Sequence, residues 1–198
     1  MIFKLLSSLI LFCAFNLHAD SQITDKETGT SFPTEISFNN QGKDYQLEAT
    51  GVATRKKLFF KVYSVAHYLQ KGVASGADKL QAIMSDANAK QLTIKWVRDI
   101  EAAKIQEGYV ESFKNAVSDQ GNSQLQSDIK TYISWYGQDV VKGDEHIIRW
   151  IPGGIIEVQM KGKTVGTITN PEFAKGLWSI WFGSKSVVKR DNLISLMN

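Results

Sequence analysis

The sequence predicts an α+β protein built on an antiparallel sheet. Strand-like segments come first, segments with helical spacing follow, and a meander of strands then leads into further helices, which is the element order of an α+β domain. The 198 residues, 43% of them hydrophobic, suit one domain with a sizeable core.

Four stretches carry strand signals. Alternating apolar residues predict strands on both sides of a turn at 39–42. Residues 57–69 are rich in aromatic and β-branched side chains and predict one long, largely buried strand. Residues 91–97 predict a further strand, and residues 145–169 predict a three-stranded antiparallel meander with glycines at its turns.

Helical spacing of apolar residues marks the remaining elements. The predicted helices cover residues 77–87, 101–118, 123–136, 171–182 and 187–197. The fourth has the clearest start, because Asn170 suits the N-cap, Pro171 the first helical position and Glu172 the first turn.

The N-terminus predicts a secretory signal peptide over residues 1–19. Lys4 precedes an apolar stretch shorter than the roughly 20 residues that span a membrane, and Ala19 is a small residue at the expected cleavage point. Residues 20–33 are polar and are expected to form a flexible leader before the domain at 34–198. We therefore expect a periplasmic or secreted protein with no transmembrane segment in the mature chain.

Composition argues against several classes of function. The formal net charge of +3 is too weak to indicate nucleic-acid binding. One cysteine excludes a disulfide framework and a multi-cysteine zinc site. His67 and His146 lie far apart with no second ligand at metal spacing, and no glycine-rich phosphate loop is present. We expect neither a metal nor a cofactor.

Two clusters allow more than one interpretation. The basic run Arg55-Lys56-Lys57 is either an anion site or a solvated strand end. Trp178 and Trp181 form an aromatic helix face that either packs in the core or walls a lipid or partner site.

Residues 51–69, GVATRKKLFFKVYSVAHYL, resemble the signature segment of the chalcone isomerase-like superfamily. The match is a G-x-x-x-R motif, then Lys61-Val62-Tyr63, then Tyr68-Leu69. The glycine turns of the meander and the helix from Asn170-Pro171-Glu172 to Gly183 agree in order, so the resemblance spans about residues 32–197. It is greatest to the exported bacterial branch.

The resemblance implies an open-faced β-sandwich, in which helices pack on one side of a large antiparallel sheet and a ligand cleft lies between them. Plant members cyclise chalcones, whereas other members bind fatty acids without catalysis. In both, an Arg near the start of the signature segment holds an anionic group, and the matching residue is Arg55. Tyr63 matches the assisting position, and Tyr68 and Tyr109 are further candidate ligand residues.

An Arg and a Tyr suit a carboxylate, because the guanidinium donates two parallel hydrogen bonds and the phenol a third. On one straight strand Arg55 and Tyr63 would lie roughly 26 Å apart, so the pair needs a bend or hairpin, which we place at Lys56-Lys57. The isomerases also use a Tyr and an Asn, whose ungapped matches are Glu101 and Gly108, with Tyr109 adjacent.

These matches favour a non-catalytic binding protein for a small amphipathic carboxylate such as a fatty acid. The first alternative is an intramolecular lyase or isomerase of the chalcone isomerase type. The second is a periplasmic protein-interaction module, in which Arg55 is salt-bridged within the core.

Overall fold

A seven-stranded antiparallel sheet is the frame of the structure, a computed structural model that describes residues 21–73, 76, 78–117 and 122–197. Its strands are β3 (Glu35–Asn40), β4 (Lys43–Lys57), β5 (Phe60–Gln70), β6 (Lys90–Trp96), β7 (Glu145–Ile151), β8 (Ile155–Met160) and β9 (Lys163–Thr169). They lie side by side in sequence order, and β1 (Gln22–Thr24) and β2 (Ser31–Pro33) form a separate hairpin. The predicted signal peptide at 1–19 lies outside the described residues.

Helices cover one face of this sheet. They are α1 (Lys79–Met84), α2 (Ala102–Ala116), α3 (Ser123–Ser134), α4 (Pro171–Phe182) and α5 (Arg190–Leu193). The predicted α+β fold, an open-faced β-sandwich with helices on one side, is therefore confirmed. Within the described part of the chain, no helix has the length and apolar character needed to cross a membrane.

The most buried helix is α4, and it begins as the sequence predicts. The side chain of Asn170 accepts hydrogen bonds from the backbone N–H groups of Glu172 and Phe173, at 2.9 and 3.3 Å. Both Trp178 and Trp181 are buried between this helix and the sheet. The C-terminal helix differs from the prediction: residues 187–197 contain only the single turn of α5.

The long, largely buried strand predicted at 57–69 is present as β5, but it begins at Phe60, and the predicted start at residues 57–59 belongs to the end of β4 and the hairpin connection. Strand β4 ends at Lys57, Leu58 and Phe59 form a two-residue turn, and β5 begins at Phe60. The turn has none of the Gly, Asn or Asp residues that normally mark such a connection, and Leu58 itself has a φ of +55°. The apolar run Leu58-Phe59-Phe60 therefore predicts a continuous strand from the sequence, although the chain reverses its direction within this run.

The opposite face of the sheet carries a second, smaller core under the β1–β2 hairpin. Phe32 is fully buried there, and Asp25 accepts hydrogen bonds from Thr54 at 2.5 Å and from Ser64 at 2.7 Å. The flexible leader predicted at 20–33 is thus an ordered part of the domain over residues 21–33. One aromatic residue and one carboxylate anchor it, and neither produces a periodic signal in the sequence.

The two histidines that the structure describes, His67 and His146, are buried structural residues. The indole N–H of Trp178 donates to Nε2 of His67 at 3.4 Å, and that of Trp96 donates to Nδ1 of His146 at 3.2 Å. An indole can only donate, so each accepting ring nitrogen is unprotonated and each imidazole is neutral. Burial lowers the pKa of His67 well below its ordinary value and that of His146 to about 4.

Replacing Phe32 with Ala should destabilise the whole domain by about 3–5 kcal/mol, because it leaves a cavity beneath the β1–β2 hairpin. Urea denaturation measures the free energy of unfolding. Phe59→Ala is the matched control, since Phe59 is 96% exposed and its loss should change that free energy by less than about 0.5 kcal/mol. Equal effects of the two substitutions would contradict an integral hairpin.

Acid should also destabilise the fold. In the unfolded chain histidine titrates near pH 6.5, whereas His146 in the fold has a pKa of about 4, so between these values the unfolded state binds more protons. The free energy of unfolding should therefore fall as the pH drops through this window, by about 1.4 kcal/mol per pH unit for each histidine. Urea denaturation at pH 7, 6 and 5 tests this. The variant His146→Asn should show a shallower dependence, and an unchanged slope would argue against this origin.

Candidate functional site

A cleft of about 640 Å³ lies between the β4–β5 hairpin and the helices α2 and α4. Its buried walls are mostly apolar or aromatic: Tyr63, Trp96, Ile105, Tyr109, Ile180 and Trp181. Its exposed mouth is formed by Lys57, Leu58, Phe60, Arg98, Asp99, Glu101, Lys104 and Glu107. An apolar interior of this size with few polar groups is typical of small-molecule sites, whose volumes are roughly 300–1,000 Å³.

The hairpin brings Arg55 and Tyr63 together. The two residues are directly paired across β4 and β5, although eight positions separate them in the sequence. A register shift between Arg55 and Lys56 follows at once, so the ladder is irregular where the pair faces the cleft. The sequence requires a reversal between the two residues; the structure places it at Leu58-Phe59 rather than at Lys56-Lys57.

Arg55 keeps most of its hydrogen-bonding capacity unused. One guanidinium nitrogen, Nη1, donates to the carbonyl of Val187 at 2.8 Å, and no carboxylate among the described residues forms an ion pair with Arg55. The side chain is half-buried and lines the cleft. The interpretation of Arg55 as a salt-bridged core residue is therefore wrong for the described part of the chain.

Tyr63 supplies a second donor beside the guanidinium. Its hydroxyl oxygen accepts the indole N–H of Trp181 at 3.1 Å, and its own proton has no acceptor among the described residues. Burial raises the pKa of Tyr63 well above its usual value, the neighbouring Tyr109 raises it further, and Arg55 opposes both. The phenol thus stays protonated and can donate to an anion.

Tyr109 lines the same cleft through its ring. Its hydroxyl donates to Tyr136 at 3.1 Å, and Tyr136 lies 2.8 Å from the hydroxyl of Tyr132, which completes a buried tyrosine cluster. Burial is the main cause that raises the pKa of all three phenols. The sequence predicted Tyr109 but not its two partners on and after α3, since helical spacing shows only that they face the core.

Tyr68 lies apart from the other three candidates. It faces the second core on the opposite side of the sheet, where its hydroxyl donates to the carbonyl of Pro33 at 2.9 Å. Tyr63 and Tyr68 are five positions apart on β5, and an odd separation on a strand turns two side chains to opposite faces. The prediction of Tyr68 as a ligand residue is therefore wrong, and Tyr68 lies outside the candidate site.

The other residues that the sequence analysis singled out also differ in whether they line the cleft. Trp181 walls the cleft, whereas Trp178 packs in the core against His67 and Trp150. Glu101 and Gly108, which an ungapped match aligns with the Tyr and Asn of the isomerases, both line the cleft, but neither provides those donors. No histidine lines it in the described part of the chain, and no cluster of metal-ligand side chains occurs there.

An antiparallel sheet with helices on one face and a donor-bearing cleft between them defines the open-faced β-sandwich class. A family profile described as chalcone isomerase-like matches residues 25–193, and the chain belongs to this family. The structure is also similar to the crystal structure of a fatty-acid binding protein from Arabidopsis thaliana. That match has a TM-score of 0.71 and 15% sequence identity, and it covers 88% of this chain and 96% of the other. No curated protein matches the sequence significantly.

Proposed function

We propose that this protein binds a small amphipathic carboxylate, such as a fatty acid, without transforming it. Arg55 holds the head group, Tyr63 assists, and the apolar walls of the cleft receive the tail. One observation carries the proposal: a half-buried guanidinium lines an apolar cleft and has no carboxylate partner among the described residues. The similarity to a fatty-acid binding protein agrees with it at the level of the fold.

Electrostatics favours this ligand class. A charged group next to apolar walls is costly when it lacks a counter-ion, and an incoming carboxylate removes that cost. The guanidinium can donate two parallel hydrogen bonds to one carboxylate, and Tyr63 can add a third from the neighbouring strand. The aromatic rings of Trp96 and Trp181 provide apolar surface close to these donors.

Chemistry in the cleft favours binding over isomerisation. The buried tyrosines that line it have raised pKa values, so neither Tyr63 nor Tyr109 is a base at neutral pH. The carboxylates at the mouth are exposed, and Glu107 is already paired with Lys104 at 2.9 Å. The described part of the cleft therefore offers donors in its interior and no buried carboxylate or imidazole that could act as a base.

We further propose that the protein acts outside the cytoplasm, which rests on the signal-peptide pattern of residues 1–19 alone. Expression in a bacterium followed by N-terminal sequencing of the periplasmic fraction should give a chain that begins at or close to Asp20. A cytoplasmic, full-length product would contradict export and leave the proposed ligand unaffected.

Replacing Arg55 with Gln should weaken the binding of hexadecanoate by about 10- to 100-fold, because charged hydrogen bonds to the carboxylate are lost. Tyr63→Phe removes one neutral donor and should weaken binding by about 3- to 10-fold. Isothermal titration calorimetry on the purified protein measures both. The methyl ester of the same acid should bind weakly to the wild type and equally weakly to Arg55→Gln.

Two matched variants control for indirect effects. Tyr68→Phe removes a buried tyrosine hydroxyl on the other face of the sheet, and Arg149→Gln removes a half-buried arginine that pairs with Glu157 at 2.8 Å. Neither should change the affinity for hexadecanoate. No measurable binding by the wild type, or equal losses in Tyr63→Phe and Tyr68→Phe, would refute the proposed site.

A further inference from the structure

The β4–β5 tip, which we define as Leu58, Phe59 and Phe60, exposes three consecutive apolar side chains. They are 83%, 96% and 58% exposed, the highest values among the large hydrophobic side chains that the structure describes. Single exposed apolar residues are common on protein surfaces, but three together at the end of a hairpin form a patch. A patch of this kind indicates contact with an apolar phase or partner.

The backbone of the turn strengthens this interpretation. Leu58 has a φ of +55° at the first position of a two-residue turn, where glycine is favoured because it has no Cβ. A bulky residue there costs conformational energy and adds nothing to the core, since Leu58 points outward. Such local strain is typical of functional segments, so the exposed side chain itself is the feature that needs an explanation.

Cations surround the tip. Lys57 and Lys61 directly precede and follow it, and the guanidinium carbon of Arg98 lies 4.9 Å from the ring centroid of Phe60. None of these three cations forms an ion pair with a carboxylate in the described part of the chain. Glu27 engages the two other lysines of the strand ends: its carboxylate pairs with Lys56, and its backbone carbonyl accepts a hydrogen bond from the ammonium of Lys61.

The nearby carboxylates belong to other elements. Asp99 and Glu101 lie in the segment between β6 and α2, and Asp99 accepts the backbone N–H of Lys142 at 2.7 Å. Glu107 lies on α2 and is paired with Lys104. The two strand ends that carry the tip are therefore basic apart from the contact of Glu27 with Lys56, while Asp99, Glu101 and Glu107 are on the opposite wall of the cleft mouth.

We propose that the β4–β5 tip inserts into the surface of an anionic phospholipid bilayer. The three apolar side chains enter the boundary between head groups and acyl chains, and Lys57 and Arg98, which lies beside Phe60, meet the phosphates. A bilayer suits a small projecting tip better than a protein does, because a stable protein interface needs about 800 Å² from each partner. This inference concerns the outer surface of the hairpin and does not depend on the ligand of the cleft.

The orientation that follows has a consequence for the cleft. Leu58 and Phe60 line its mouth as well as the tip, so insertion turns the mouth toward the membrane. An apolar molecule leaving the bilayer then reaches the cleft without crossing open water.

A fluorescent label at position 59 tests insertion directly. Cys13 is the only cysteine of the chain, so the variant Cys13→Ser with Phe59→Cys accepts an environment-sensitive fluorophore at the tip alone. Vesicles of phosphatidylcholine with phosphatidylglycerol should shift its emission to the blue and raise its intensity, and salt should weaken the response. The same label introduced by Leu196→Cys, at a side chain 51% exposed elsewhere, should not respond. No response at position 59 would overturn the proposal.

Vesicle co-sedimentation of unlabelled variants provides the second arm. Phe59→Ser should lower partitioning to anionic vesicles at least about 10-fold, and Lys57→Gln about five-fold, whereas Leu196→Ser should leave it unchanged. Equal partitioning of the wild type and Phe59→Ser would overturn the proposal and leave the tip to a protein partner. Calorimetry of Phe59→Ser with hexadecanoate in the absence of vesicles measures the cleft separately, so this inference and the proposed function can fail independently.

Discussion

The pairing of β4 with β5 is the constraint on which both the core and the candidate site depend. These are the two longest strands, and their hairpin runs from the C-terminal segment at one end to the cleft mouth at the other. At its base, Gly51 lets the chain around Asn192 approach so closely that a Cβ would lie 2.1 Å from the Asn192 carbonyl oxygen. Gly51, the glycine of the signature segment, is therefore required by close packing, whereas Arg55 of the same segment lines the cleft.

The polar side chains of this hairpin fall into two groups: those whose hydrogen bonds are formed within the fold, and those that keep hydrogen-bonding capacity for a partner. At its base, Thr50 donates to the carbonyl of Leu193 at 2.6 Å and lies 2.7 Å from Nδ1 of His67, whose other ring nitrogen accepts from Trp178. Near the cleft, Arg55 has one hydrogen bond to the described residues, and the hydroxyl proton of Tyr63 has no acceptor among them. Because unpaired buried polar groups are costly, this contrast within one pair of strands supports the proposal that the cleft receives a ligand.

Local signals predicted much of this architecture from the sequence. The start of α4 was predictable because Asn170 and Pro171 act through their immediate neighbours, and the meander because its turns contain glycines. The turn at Leu58-Phe59 was not, since an apolar run favours a continuous strand and only long-range pairing shows the reversal. The β1–β2 hairpin was missed for a related reason: Phe32 gains its burial from strands distant in the sequence.

Part of the candidate site, like part of the fold, was predictable from the sequence. Resemblance supplied Arg55 and Tyr63, and the need for a reversal between them followed from strand geometry. Strand parity could have excluded Tyr68 in advance, since its odd separation from Tyr63 is visible in the sequence. Contact between Tyr109 and Tyr136 could not have been foreseen, because it joins α2 to the end of α3 through packing rather than spacing.

Donors alone do not distinguish a binding protein from an isomerase of this fold. An arginine and a tyrosine side by side can stabilise a resting carboxylate or a developing oxyanion by the same hydrogen bonds. Catalysis requires stabilisation that is greater in the transition state than in the bound ground state, together with a group that moves the proton. Tyr63 and Tyr109 hold their protons because burial raises their pKa values, and the described carboxylates at the mouth are exposed to water. A ligand that already carries its negative charge gains the full benefit of these donors on binding, so the arrangement favours equilibrium binding of an anion over its formation.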